Sequence, residues 1–329
     1  MKPPKLTVLM PVFNAEEYIG EAIQSVLEQS YPDFELMIID DGSTDSSRLI
    51  IDSYKDDRLR VIKQPHQGVA IALNHGLEEA KGEYTARFDA DDICLPGRFE
   101  KQVRFLDDNP GYIIVGCNAI YIDEKGHYLF DYYCRAHEHE EIMKSLYSYC
   151  PFIHSGVMYR TKVVISGGGY SPDAHNFEDY LLWIQLSEFG RFANLPEQLI
   201  KVRFNPGSAT IDEKWRGRRF RDLKHRIIRK GSVSKEEGAE LLSIIKNQDI
   251  QRIKEGAYHA LCGKKYLVDN HQPAKARSHI SKAIRHHPSR LDNYAFYLLS
   301  YFPQPVITWL HKKSHHRTQT RISRDLPRK

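Results

Sequence analysis

Tyr84-Thr85-Ala86-Arg87-Phe88-Asp89-Ala90-Asp91-Asp92 carries a strand-like run straight into three carboxylates. The first five residues have the β-branched and aromatic character of a strand, and Gly82 punctuates its start. The carboxylates therefore sit at a strand's carboxyl end, which in an open α/β sheet is where ligands bind. Unpaired, three acids this close repel one another. A hard divalent cation, Mg2+ or Mn2+, relieves that repulsion, because it prefers oxygen ligands and usually completes its shell with substrate phosphates. An isolated Asp-x-Asp also suits a solvated turn that caps the next helix, so this stretch by itself leaves both readings open.

A second acidic turn favours the cation. Glu35-Leu36-Met37-Ile38-Ile39 is a near-continuous apolar run, as expected of a parallel strand covered on both faces, and it ends in Asp40-Asp41-Gly42-Ser43-Thr44-Asp45. Gly42 permits a tight turn there. Upstream, Leu6 to Phe13 reads as another strand, leading through an Asn14 cap into a helix with Glu16 and Glu17 in its first turn. Its positions Ile19, Ile23 and Leu27, with Tyr18, Ala22 and Val26, keep helical spacing through Gln29. A short strand at Arg60-Val61-Ile62 follows, then a helix from about Val69 to Ala80 with Ala70, Leu73, Leu77 and Ala80 as its buried stripe. Alternating strands and helices imply a parallel sheet with right-handed crossovers, both acidic turns leaving on one edge. Asp40 and Asp45 are expected to serve local turn chemistry; Asp41 and Asp91 are the candidate ligand-binding acids.

Taken in order, Met10-Pro11-Val12-Phe13-Asn14, Ile39-Asp40-Asp41-Gly42-Ser43, Asn74, Gly82-Glu83-Tyr84, Asp89-Ala90-Asp91-Asp92 and Pro96-x-Arg98 resemble the family 2 inverting glycosyltransferases. The resemblance covers about residues 5–210. It implies the α/β GT-A fold, a Rossmann-like, mostly parallel central sheet flanked by helices, followed here by a helical C-terminal extension. It also implies a nucleotide-sugar donor, most often a UDP-sugar. On that match Pro11 and Phe13 lie against the nucleoside, Asp41 hydrogen-bonds the base, Asp89 lies near the ribose and Asp91 ligates the metal, Mn2+ or Mg2+. Asn14 and Asn74 complete the donor set. A divalent ion on Asp91 would stabilise the charge that grows on the leaving diphosphate.

An inverting transfer also needs a general base for the acceptor hydroxyl. Asn176-Phe177-Glu178-Asp179-Tyr180 opens an apolar, helix-like run, so its acids lie at a helix N-terminus, where the dipole favours the ionised form. The resemblance makes Asp179 the base and Glu178 a supporting acceptor-site residue; simple helix capping is the plain alternative. Phe152 to Arg160 resembles the family's strand under the acceptor pocket and carries His154, an acceptor-side candidate that also suits a structural role. Arg203 matches a position where the family often closes the site with a basic residue. Gly167-Gly168-Gly169-Tyr170 lacks the Walker pattern and reads as a flexible acceptor-side loop.

Processive members carry a Gln-x-x-Arg-Trp signature and several membrane spans. The nearest segment here, Lys214-Trp215-Arg216-Gly217-Arg218-Arg219, reverses the order and lacks the glutamine, so one sugar per encounter is expected. No apolar stretch reaches the roughly 18 residues that span a bilayer, and the N-terminus has no signal-peptide h-region. Cys94, Cys117, Cys134, Cys150 and Cys262 are odd in number and contain no Cys-x-x-Cys pair. Together these features predict a cytoplasmic protein with reduced thiols and no structural zinc.

The 329 residues suggest two parts. Residues 1–211 hold 20 Lys and Arg against 32 Asp and Glu, whereas 212–329 hold 27 against 11. The first part reads as the catalytic domain, its donor half about 1–110 and its acceptor half about 111–211. The second reads as mainly helical, with helices at Leu223–Arg229 and Gly238–Ile253. Glu255 to Pro288 resembles one tetratricopeptide-like hairpin, with Ala276, Ile280, Ala283 and Pro288 at that repeat's spacing; a solenoid needs about three copies. Residues 291–321 combine aromatic and aliphatic side chains with Lys312, Lys313, Arg317 and Arg321, which suits peripheral attachment to the inner face of an anionic membrane; packing on the catalytic domain is the alternative. The basic half raises nucleic acid as a partner, but no zinc-finger spacing or RNA-recognition signature supports it.

Three functions compete on these observations. The first is a metal-dependent glycosyltransferase acting on a glycan or lipid-linked acceptor in surface polysaccharide or lipopolysaccharide assembly. The second is a nucleotidyltransferase, which would want a Gly-rich, basic loop where Pro11-Val12-Phe13-Asn14 stands. The third is a non-catalytic nucleotide-sugar binding protein. Donor sugar, acceptor and oligomeric state are left open.

Overall fold

A computed structural model of the chain describes residues 2–206 and 215–310. Four strands form the parallel part of one nine-stranded sheet: β1 (Leu6–Val12), β2 (Phe34–Asp40), β3 (Leu59–Lys63) and β4 (Tyr84–Arg87). β1 lies between β2 and β4, and β3 flanks β2. The crossovers carry α1 (Ile19–Leu27), α2 (Ser47–Ser53) and α3 (Val69–Glu79). Alternation along the strands feeds two cores. Leu6, Val8, Met10 and Val12 pack with Ile19, Ala22, Ile23 and Val26 of α1; Leu9, Met37 and Ile39 pack with Ala70, Leu73 and Leu77 of α3. Each such Leu or Ile contributes roughly 1.5–3 kcal/mol when fully buried. A Cβ on Gly82 would stand 2.4 Å from the Thr7 backbone nitrogen, so glycine is what lets the chain enter β4 this close to β1.

Val12 pairs with Asp40 and Leu9 with Arg87, so the two acidic turns leave the sheet on the same edge. The entry to α1 differs from the expected Asn14 cap. Asn14 is in the left-handed region at φ 50°, and the helix begins only at Ile19. Its side-chain oxygen accepts from the Thr44 amide (2.8 Å), while Ser47 Oγ and the Asp45 carboxylate accept from the Ala15 and Glu16 amides (2.7 and 3.0 Å). The groups that satisfy this turn thus come from the neighbouring acidic turn, 30 residues along the chain.

Beyond β4 come β5 (Ile93–Cys94), α4 (Arg98–Asp108), β6 (Tyr112–Ile122), β7 (Tyr128–Tyr132), α5 (His139–Ser145), β8 (Met158–Arg160), α6 (Thr161–Ser166), α7 (Glu178–Leu186) and β9 (Arg191–Arg203). β8 is antiparallel to both β4 and β6, and β5 is antiparallel to β9. The parallel arrangement therefore holds for β3-β2-β1-β4, and the strands paired beyond β4 run antiparallel, an arrangement that needs no βαβ crossover.

The chain divides into two compact units, but not at residue 211. One comprises Met1–Tyr121, Asp131–Arg203 and Gly217–Asn247; the other comprises Ile122–Phe130, Phe204–Arg216 and Gln248–Lys329. α8 (Arg218–Lys230) and α9 (Lys235–Lys246) join the first unit, because Phe220, Leu223, Ile227, Ile228 and Leu241 enter the core that holds Trp183 and Leu186 of α7. The second unit contains α10 (Ile250–Val268), α11 (Pro273–His286), α12 (Leu291–Leu299) and a helical segment at 304–310. The helix expected over Gly238–Ile253 is two helices: Asn247 ends α9, and the Asp249 side chain caps α10 through the Arg252 amide. Ala276, Ile280 and Ala283 are buried in the α10–α11 hairpin, as their spacing predicts. Among the described residues no helix is long and apolar enough to cross a membrane. Gly207, Ser208, Lys214 and residues 311–321, on which several expectations fell, lie outside the described residues.

Candidate active site

The turn after β4 brings its three acids together. One carboxylate oxygen each from Asp89, Asp91 and Asp92 lies within 4.8 Å of the others. Asp92 is buried, and its Oδ2 has no hydrogen-bond partner; burial first, then the charges of Asp91 and Asp89, hold its carboxyl well above the usual range. An orphaned oxygen among three acids fits the oxygen shell of a divalent cation. Arg98, fully buried under Phe88, fastens the strand end by donating to the Arg87 and Val157 carbonyls (3.0 and 3.3 Å). Ser155 Oγ accepts from the Asp89 amide (3.1 Å).

Arg203 does not offer a free charge to a ligand. Its amide donates to Asp92 Oδ1 and its Nε to the Asp91 carbonyl, both at 2.8 Å. The guanidinium pairs with Glu21 and lies 4.6 Å from the Tyr18 ring. The side chain is buried, and these contacts brace the acidic turn in its shape.

Asp41 is likewise already engaged. Oδ1 accepts from Gln64 Nε2 (2.7 Å) and the Gln67 amide (2.9 Å); Oδ2 accepts from the Gly68 amide (2.8 Å) and faces His66 Nδ1 (2.9 Å). A carboxylate offers about four lone-pair sites, and these four partners fill them. Asp41 thus organises the loop between β3 and α3. That loop stacks His66 on Phe13, ring centroids 3.9 Å apart, with both rings partly open to solvent. Half-buried Pro11 precedes the platform. Asp40 and Asp45 serve the turn, accepting from the Ser43 and Ser47 amides at 2.9 Å.

Glu178 and Asp179 open α7 as expected, both half-buried. The helix dipole does not prevail there. Burial, followed by the charge of Asp179, pushes Glu178 up to about 7; burial also raises Asp179, against lowering contributions from the Tyr180 amide, Lys224 and Arg87. Cys150 Sγ lies 3.8 Å from Asp179 Oδ2. His154 is held well below its ordinary value by burial and by the Arg87 charge. It is therefore neutral, 3.0 Å from the Tyr170 hydroxyl through Nε2 and packed edge-on against Trp183. Asn74 bonds the same tyrosine: its amide accepts from the Tyr170 nitrogen (2.8 Å) and donates to the Tyr170 carbonyl (2.7 Å). Asn74 thus pins the Gly167–Tyr170 segment, which the sequence suggested was flexible.

Sequence reasoning missed Arg87. It is 4% exposed, ion-paired with Asp89, and its Nε lacks a partner. Its charge lowers both Glu178 and Asp179, so one buried cation serves the acidic turn and the α7 pair together. The signal was a charged residue inside an otherwise strand-like run. His66 and Gln64 were missed as well, because their roles arise only from the fold of the β3–α3 loop.

The family model for glycosyl transferase family 2 matches residues 7–168. EpsE of Bacillus subtilis (strain 168), named as a glycosyltransferase, is 36% identical over 207 residues, 61% of this chain and 73% of EpsE. The amylovoran biosynthesis glycosyltransferase AmsE of Erwinia amylovora is 32% identical over 203 residues, 60% of this chain and 75% of AmsE. Among solved structures, residues 1–349 of S. aureus TarS in complex with UDP-GlcNAc align with a TM-score of 0.55 at 17% identity, covering 94% of this chain and 92% of that one. The mannosyltransferase PcManGT from Pyrobaculum calidifontis, in complex with GDP-Man and Mn2+, aligns with a TM-score of 0.53 at 18% identity, covering 93% and 83%. These two share the GT-A fold with this chain. On the sequence relationship to its relatives and the acidic strand ends described above, the chain belongs to glycosyl transferase family 2.

Proposed function

We propose that this glycosyltransferase is an inverting, non-processive enzyme. It moves a hexosyl or N-acetylhexosaminyl group from a nucleotide diphosphate donor, a UDP-sugar, to a hydroxyl of a glycan or lipid-linked acceptor in surface polysaccharide or lipopolysaccharide assembly. The carrying observation is that Arg87 links electrostatically two sets of acids, Asp89-Ala90-Asp91-Asp92 at the end of β4 and Glu178-Asp179 at the start of α7. AmsE, a relative named for amylovoran biosynthesis, supports the setting.

The Phe13–His66 stack supports the nucleoside through ring contact. Asp91, with Asp89 and Asp92 beside it, would hold Mn2+ or Mg2+, and Asp89 would also face the ribose. When bound, the ion supplies Lewis-acid stabilisation of the leaving diphosphate. Arg203 keeps the turn in the shape this requires. On the other side, Asp179 takes the proton of the acceptor hydroxyl as its oxygen bonds the anomeric carbon and the bond to the diphosphate breaks, which inverts that carbon. Half-burial excludes part of the water that would otherwise stabilise the Asp179 charge, making it a stronger base than an exposed aspartate. Glu178 holds a proton below pH about 7 and can donate a hydrogen bond to the acceptor.

Replacing Asp179 by Asn tests this directly. Transfer is expected to fall by roughly 10²–10⁴-fold, with donor affinity retained and, in the wild type, an inverted product anomer by NMR. Normal transfer by that variant, or a retained anomer, would overturn the mechanism.

A further inference from the structure

Residues 291–310 turn an apolar face outward while burying polar groups. Along α12, Leu291, Tyr294 and Leu298 follow i, i+3, i+7 spacing, one stripe of a helix. All three are exposed, Leu291 at 78% and Leu298 at 64%, whereas Asn293 and Ser300 are buried. The segment at 304–310 does the same, with Ile307 inside and Val306, Trp309 and Leu310 outside; Tyr301 and Phe302 are exposed between the two helices. Eight of the sixteen large apolar side chains exposed among the described residues lie in this one stretch. Scattered exposed apolar residues are ordinary; a concentration of this kind marks a contact surface.

Charge in the sequence of this region identifies what covers it. Arg277 sits 4.7 Å over the Tyr301 ring and donates to the Ser300 carbonyl at 2.9 Å. The sequence that follows, residues 311–329, contains seven Lys and Arg against one acid, Asp325. Tyr and Trp rings favour the headgroup level of a bilayer, and clustered cations favour anionic lipid. A second copy of this chain would instead set like charges against one another.

We propose that residues 291–310 dock on an anionic lipid bilayer, with the aromatic and leucine side chains in the interface. The proposal rests on the second unit alone and holds whatever sugar the first unit transfers. Sedimentation of the full chain with phosphatidylcholine vesicles, with and without phosphatidylglycerol, tests it. Binding is expected to the mixed vesicles, with release at about 0.5 M salt, where the Debye length shrinks to a few ångströms. Leu298→Glu with Trp309→Glu should reduce the bound fraction on the order of tenfold. Lys312→Glu with Lys313→Glu should weaken binding to mixed vesicles only, and thermal unfolding checks that both variants fold. The proposal is overturned if the folded protein fails to sediment with mixed vesicles, or if the Leu298/Trp309 variant binds them as the wild type does. It is equally overturned if that variant's main effect is to dissociate a dimer in solution.

Discussion

Glu178 and Asp179 show how one local environment gives two neighbouring acids different duties. Both are raised by burial; Glu178 is pushed up to about 7 by burial and then by the charge of Asp179, whereas the Tyr180 amide, Lys224 and Arg87 oppose the rise of Asp179. The rate should therefore rise with pH as Asp179 loses its proton, then change again near pH 7 as Glu178 ionises. Glu178→Gln is expected to erase the feature near pH 7 and keep the rise that reports Asp179, read from kcat/KM between pH 5 and 9. A feature near 7 that survives the substitution would assign it elsewhere. Arg87 explains why two acids can share this site, since a buried guanidinium offsets part of their repulsion. Nothing in the spacing of the motif points to it; the side chain acquires its role only when β4 and α7 come together.

The α10–α11 hairpin carries a pH dependence of its own. His259 and His279 face each other Nδ1 to Nδ1 at 3.1 Å, an arrangement in which one neutral ring donates and the other accepts. Burial, then the charges of His279, Lys282 and His286, pushes His259 down to about 3. Burial and Lys282 push His279 down to about 4, with Lys275 acting the same way and Asp123 opposing. The unfolded chain thus binds more protons than the native state below pH about 6.5. The stabilisation is complete above that pH and is lost progressively as pH falls toward 4 and then 3. Thermal unfolding followed by circular dichroism should show the midpoint falling through that window. His279→Gln should flatten the decline, and an unchanged slope would remove these histidines as its cause. The elements themselves were mostly legible: periodicity located α1 and α3, and the tetratricopeptide-like spacing located the α10–α11 hairpin, while the break between α9 and α10 rests on the Asp249 cap.

At the scale of the whole molecule, ligand linkage reads the first unit directly. A donor at 100 times its Kd adds about 2.7 kcal/mol of stability, worth a few degrees of Tm for a unit of this size. UDP-sugars with Mn2+ should raise the midpoint by that order, and Asp91→Ala or a chelator should remove most of the shift. A full shift without metal would displace Asp91 from the ligand role. The division of charge between the acidic catalytic sequence and the basic C-terminal sequence was readable from composition alone. So were the strand-helix alternation, the two acidic turns on one sheet edge and the placement of Glu178 and Asp179 at a helix start, because each depends on residues close in sequence. Tertiary structure decided the rest. It moved α8 and α9 into the catalytic unit, gave Asp41 its partners in the β3–α3 loop, made Arg203 a brace of the acidic turn and Asn74 a brace of Tyr170, and joined Asp89 to the α7 acids through Arg87. Those outcomes depend on which side chains occupy the remaining lone pairs and charges once distant segments pack, and local sequence pattern does not encode such partners.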